Sequence, residues 1–206
     1  MQIETMIVSM FATNCYLVSC PQSREAIVID PGAEGKRIIE RIRELGLSLQ
    51  MIVNTHGHID HIGANSKLKQ EWQIPVMLSE KDLDVYNNPG FGLGLVLKKQ
   101  PQPEKYMSEG DIISFGHQSL KVLETPGHTD GGICLVGESM VFCGDTLFAG
   151  SIGRTDFPGA SGELLLQSIR NKLLTLPDQT KVWPGHGPPT TIGVERQTNP
   201  FLNGRG

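Results

Sequence analysis

No apolar run in this 206-residue chain approaches the roughly 20 residues needed to cross a bilayer, which argues against a membrane-spanning helix. The opening MQIETMIVSM lacks both the basic start and the long apolar segment of a signal peptide. Cysteine is sparse. Cys15, Cys20, Cys134 and Cys143 form no Cys-x-x-Cys pair and no disulfide framework, so a reducing cytoplasm is the expected compartment. No Lys/Arg cluster stands out either. The 18 basic and 22 acidic residues are mixed along the chain and leave a net charge of −4, which argues against nucleic acid as a partner. What is present is enough chain for one domain, expected to span 1–206. Nothing in it specifies an oligomeric state.

The first thirty residues read as three strands, IETMIVSM, NCYLVSC and EAIVID, stopped by Asp30-Pro31-Gly32. From Glu34, the apolar residues Ile38, Ile39, Ile42 and Leu45 fall at helical spacing, with Gly46 as the stop. LQMIVNT reads as a buried strand. A helix from about His61 to Trp72 follows, with Ile62, Leu68 and Trp72 inward, and then a strand PVML. The Pro- and Gly-broken segment Asn87–Gly110 has no sustained period, which suits either an irregular connection or a functional loop. Strands SLKVLET, GICLVGE and MVFCGD follow. A helix near Glu163–Leu176 has Leu165, Ile169, Leu173 and Leu176 on one face, and KVWPGH is a last strand. THGHID at Thr55–Asp60 and TPGHTD at Thr125–Asp130 share the form T-x-G-H-x-D. Each follows a strand, as two related halves packed sheet to sheet would have it.

Five of the six histidines cluster with Gly at predicted strand ends: His56, His58 and His61 in THGHIDH, His128 in PGH, and His186 in PGHG. Asp145 ends a strand in the same way. His56 and His58 are two apart and share a side of extended chain, whereas Asp60 and His61 project differently at the turn into a helix. One loop can therefore serve two cations. The expected sets are His56, His58 and His128 for one ion and Asp60, His61 and His186 for the other, with Asp145 bridging. Three or four protein ligands and an open position mark a catalytic site rather than a structural one.

These motifs resemble the metallo-β-lactamase superfamily, and all seven ligand positions match. The resemblance implies an α/β fold, an αββα sandwich with the metals at one edge of its two sheets. Asp60 beside His61 resembles the two-ion hydrolase branch, and His58 stands where flavo-diiron oxygen reductases carry Glu. GSIGRTDFPGAS and the tail IGVERQTNPFL are similar to short hydroxyacylglutathione hydrolase (glyoxalase II)-like proteins, which split S-D-lactoylglutathione into D-lactate and glutathione. Arg154 after Gly153 fits their place for a basic residue that holds a glutathione carboxylate. Gly187 and Pro188 stand where full-length members carry a Tyr, and the helical domain that completes glutathione recognition there has no counterpart in the short segment after His186.

The expected cofactors are two divalent ions, Zn first with Fe or Mn as options. They would lower the pKa of a bridging water and hold a hydroxide, positioned by Asp60 and Asp145, against a thioester carbonyl. One ion would support the oxyanion. A thiolate with a solution pKa of about 8.5 leaves without a general acid, which an amide would need, so a small thioester is the expected substrate. Two rivals remain open. A persulfide dioxygenase of the same superfamily also carries a GRTDF-like segment and uses one non-heme iron, which suits imidazole and carboxylate ligands equally. A lactonase could use the same two ions. Three residues are set aside. Asp130 reads as a turn carboxylate, Cys143 as a small core residue and His117 as a surface turn. Arg154 and Asp156 could instead pair with each other.

Overall fold

The computed structural model describes residues 1–88 and 100–203. Its first sheet begins as an antiparallel meander of β1 (Gln2–Val8), β2 (Thr13–Ser19) and β3 (Glu25–Ile29). The chain then passes through α1 (Gly35–Glu44) and adds β4 (Ser48–Val53) parallel to β3. After α2 (Ile59–Ile62) and α3 (Asn65–Trp72) it adds β5 (Val76–Leu78), and after α4 (Leu83–Asn87) it adds β6 (Lys105–Tyr106), both parallel. The order is β1-β2-β3-β4-β5-β6.

The second sheet runs β7 (Ile112–Phe115), β8 (Gln118–Glu124), β9 (Ile133–Val136) and β10 (Met140–Gly144) antiparallel. A small hairpin, β11 (Leu147–Phe148) with β12 (Ser151–Ile152), leads to α5 (Gly162–Ser168). Next, β13 (Lys181–Pro184) pairs parallel with β10, and β14 (Thr190–Thr191) closes the edge before α6 (Ile192–Thr198). The order is β14-β13-β10-β9-β8-β7.

Strand periodicity explains the layering. In β2 and β3, Tyr16, Val18, Ile27 and Ile29 face the second sheet, where they meet Phe115, Leu120, Val122 and Phe142. Their neighbours Cys15, Leu17, Ala26 and Val28 face outward under Ile38 and Ile42 of α1 and Leu68 of α3. On the far side, Cys134, Val141, Cys143 and Val182 pack under Leu165 and Ile192. The central strands of both sheets are therefore apolar on both faces, with helices over their outer faces, whereas β7 and β8 alternate buried and exposed residues. This is the expected αββα sandwich.

Three sequence expectations need correction. The helix from His61 to Trp72 is two helices. The one-turn α2 docks on the Asp30–Gly32 turn so closely that a Cβ on Gly63 would stand 2.2 Å from the Gly32 carbonyl oxygen. A Cβ on Gly32 would likewise lie 1.6 Å from that of Asp60. That contact, with the Ala64 N–H donating to the Pro31 carbonyl at 2.8 Å, redirects the chain. Second, Asn87–Gly110 is not wholly irregular, because β6 extends the sheet edge, while residues 89–99 of it lie outside the described residues. Third, the helix near Glu163 is shorter: Ser161 caps α5 by accepting from Leu164 N–H, and a π turn, Ile169–Leu173, takes over. No helix among the described residues is long and apolar enough to cross a membrane.

Candidate metal centre

Four strand ends meet at one edge of the sandwich. The loop after β4 brings His56, His58, Asp60 and His61; the loop after β8 brings His128; Asp145 follows β10; and His186 follows β13. One donor atom from each of His56, His58 and His128 lies within 4.8 Å of the others, and so does one from each of Asp60, His61 and His186. Asp145 falls in neither set but lies between them. Its Oδ2 is 3.6 Å from His128 Nε2 and 3.5 Å from His186 Nε2, and its Oδ1 is 3.4 Å from His61 Nε2. Gly185 leaves room for it, since a Cβ there would meet Asp145 Oδ1 at 2.1 Å.

Hydrogen bonds behind the rings decide which nitrogens are left over. His61 Nδ1 faces Asp30 Oδ2 at 3.0 Å, His128 Nδ1 faces the Arg154 carbonyl at 2.7 Å, and His186 Nδ1 faces the Phe11 carbonyl at 3.1 Å. The Thr55 hydroxyl donates to Asp30 Oδ2 at 2.6 Å, so its oxygen is left to accept from His56 Nδ1 at 3.1 Å. With each Nδ1–H donating backward, Nε2 presents a lone pair inward. His61 and His186 Nε2 stand 3.3 Å apart, and His128 Nε2 is 2.9 Å from His58 Nδ1. His56 Nε2 and Asp145 Oδ1 are buried without a hydrogen-bond partner among the described residues. Converging lone pairs and orphaned buried acceptors are costly unless a cation or proton fills them, so the donor set fits a metal. A third set within the same distance, Asp30, His56 and His61, is already occupied by these hydrogen bonds.

Electrostatics agree. Burial, aided by His61, His58 and His128, holds His56 well below the ordinary imidazole value, and burial beside His128 takes His58 down to about 3. Both are thus neutral and able to ligate. Burial opposes charge on His61 too, but Asp145, Asp30 and Asp60 together raise it to about 9. Burial would raise Asp60, yet His186, His61 and the hydroxyl of Thr13, which donates at 3.0 Å, hold it well below the carboxylate range. This half of the centre is acidic enough to hold protons when it holds no cation, so cation uptake there displaces protons.

Two buried carboxylates organise the centre without belonging to either expected set. Asp30 accepts from the Thr55 N–H at 2.7 Å, the Thr55 hydroxyl and His61. It was legible only as a turn breaker, although its place at the end of β3 parallels Asp145 at the end of β10. Asp82, wholly buried before α4, carried no sequence signal. Of the residues set aside, Asp130 is exposed, His117 is an exposed turn residue, and Cys143 faces the core, its thiol 3.0 Å from the Leu147 carbonyl. Arg154 and Asp156 form an exposed two-point ion pair at 3.0 and 2.7 Å. The guanidinium also lies 4.5 Å from the Phe157 ring centre, and that ring sits edge-on to His58 and His128.

The metallo-beta-lactamase superfamily pattern matches residues 9–186. Hydroxyacylglutathione hydrolase GloC of Haemophilus influenzae is 41% identical over 213 aligned positions that span 100% of each chain. Among solved structures, the BLEG-1 B3 metallo-beta-lactamase superposes with a TM-score of 0.91 at 35% identity, covering 98% of this chain and 99% of its own. TTHA1623 in a di-iron-bound form gives 0.88 at 38%, covering 97% and 100%. ETHE1 from Myxococcus xanthus gives 0.83 at 32%, covering 99% and 85%. The likeness extends over the fold and nearly the whole length of the chain. The chain belongs to the metallo-β-lactamase superfamily.

Proposed function

We propose that this metallo-hydrolase is a two-metal thioesterase acting on S-D-lactoylglutathione or a related hydroxyacyl thioester. The observation that carries the reading is the paired donor set with Asp145 between, in a chain similar along its whole length to a hydroxyacylglutathione hydrolase. His56, His58 and His128 would hold one ion, and Asp60, His61 and His186 the other. Bound ions supply a water of lowered pKa and a Lewis acid for an acyl carbonyl. Zn, Fe and Mn all suit imidazole and carboxylate donors, and the di-iron form of TTHA1623 supports iron among them.

The chain's own groups do the rest. Asp60 is fixed by the Thr13 hydroxyl, and Asp145 spans both halves, so the two carboxylates would set the separation of the ions. Phe157 lies against His58 and His128, and Phe148 against His186, so each flank of the centre carries an aromatic ring that a substrate could pack on. Arg154 stands beside Phe157 with its partner Asp156 in solvent, where an ion pair is easily exchanged for another carboxylate. It would receive a carboxylate of the thiol portion. No group beyond these need protonate the departing thiolate. A reducing cytoplasm remains the proposed compartment, and a small thioester the proposed partner.

The GRTDF segment that wraps His128 keeps a one-iron persulfide dioxygenase as the second reading. The two separate cleanly in a sealed cell without oxygen. The proposal expects free thiol from S-D-lactoylglutathione at an undiminished rate. Activity on a glutathione persulfide that stops when oxygen is removed, with no thioester cleavage, would replace it.

A further inference from the structure

Asp82 does not reach the cluster, yet it holds both loops that form the three-histidine half of it. Its Oδ2 accepts from the Gly57 N–H at 2.7 Å and from the Thr129 hydroxyl at 3.0 Å, and its Oδ1 accepts from the Gly131 N–H at 2.7 Å. Gly57 lies between His56 and His58, and Thr129 follows His128. One fully buried carboxylate thus clamps a loop from the first sheet to its counterpart from the second. Both loops press on it too closely for a side chain. A Cβ on Gly131 would meet Asp82 N at 2.6 Å and Cβ at 2.8 Å, and one on Gly57 would meet Tyr86 N at 2.7 Å and the Asp82 carbonyl oxygen at 3.1 Å. In the other half of the centre a separate carboxylate, Asp30, holds His61 directly.

We infer that Asp82 is a positioning residue that selectively sets cation affinity at the His56–His58–His128 site, by fixing the distance between the loops that carry those rings. The inference rests on the two-ion reading above. Its physical basis is that a tridentate site assembled from two sheets loses affinity when the loops can drift apart. The Asp60–His61–His186 site also draws on both sheets but has its own ties. Asp30 holds His61, and the Asn14 N–H and side-chain amide donate to the Gly185 and Gly187 carbonyls that flank His186, at 2.8 and 2.9 Å. Asp82→Asn keeps the shape but turns one acceptor into a donor facing N–H or hydroxyl groups.

The test is a Zn titration of metal-stripped protein against a chromophoric chelator, with bound metal counted independently. His128→Ala and His186→Ala identify the two binding phases. Asp82→Asn is expected to weaken the phase abolished by His128→Ala by about 10- to 100-fold, leaving the other within about 3-fold. Thr129→Val, which removes one of the three donors, should shift the same phase less and serves if Asp82→Asn does not fold. Equal weakening of both phases, or unchanged affinities with only a lower melting temperature, would overturn the inference. A wild-type protein with no pair of phases would instead sink the two-ion reading, and is told apart because the failure shows before any substitution.

Discussion

Asp145→Ala is expected to lower thiol release from a hydroxyacyl thioester by on the order of 10³-fold, equivalent to about 4 kcal/mol of barrier. The carboxylate lies in contact range of both donor sets, with Oδ1 toward His61 and Oδ2 toward His128 and His186. Removing it takes away a ligand that each ion would share, and leaves His61 and His186 facing each other across 3.3 Å with less negative charge between them. The metal-free protein should lose some stability too, because Asp145 is the foremost of the carboxylates that keep buried His61 protonated. The check is kcat measured with metal content on the same sample. Near-normal turnover with two ions bound would mean that the carboxylate does not bridge.

Asp30→Asn should have the next largest effect, through a different route. Asp30 has φ 51°, a left-handed conformation that Asn tolerates, so the backbone can stay. The amide, however, keeps one acceptor where the carboxylate served the Thr55 N–H, the Thr55 hydroxyl and His61 Nδ1. Facing His61, the amide N–H would donate to Nδ1 and move the ring proton to Nε2, the atom needed for a cation. Affinity at the Asp60–His61–His186 site is expected to fall about 10- to 100-fold. Stability should fall by about 1–3 kcal/mol, since a buried donor is left unmet. Metal titration and urea unfolding read the two effects separately. Unaltered affinity alongside lost stability would make Asp30 a purely structural residue.

The contrast between Asp145 and Asp30 shows what could be read from the sequence. His56, His58, Asp60, His61, His128, Asp145 and His186 announce themselves because metal-ligating types recur beside Gly at strand ends, and the structure brings all seven to one edge. The strands β2, β3 and β4 were legible because short runs of apolar residues continue over both faces of a covered sheet. By contrast, β6, β11, β12 and β14 are two residues long and exist through their pairing partners, which no local pattern records. The break between α2 and α3 was hidden for a similar reason: it comes from the approach of Gly32 to Gly63, distant in sequence. Asp82 was missed because two of its three donors are backbone amides, and an amide carries no residue signature. The T-x-G-H-x-D echo holds for the loops, both at strand ends and both clamped by Asp82. It fails for the carboxylates, since Asp60 lies in the cluster and Asp130 in solvent.

The measurement that bears most directly on the two-metal thioesterase is an anaerobic titration of metal-stripped protein with Zn, and separately with Fe(II). Bound ions and thiol release from S-D-lactoylglutathione are followed together. The account predicts little release through the first equivalent and a rise that saturates as the second binds. Full activity at one ion, or two bound ions with no thiol released, would contradict it.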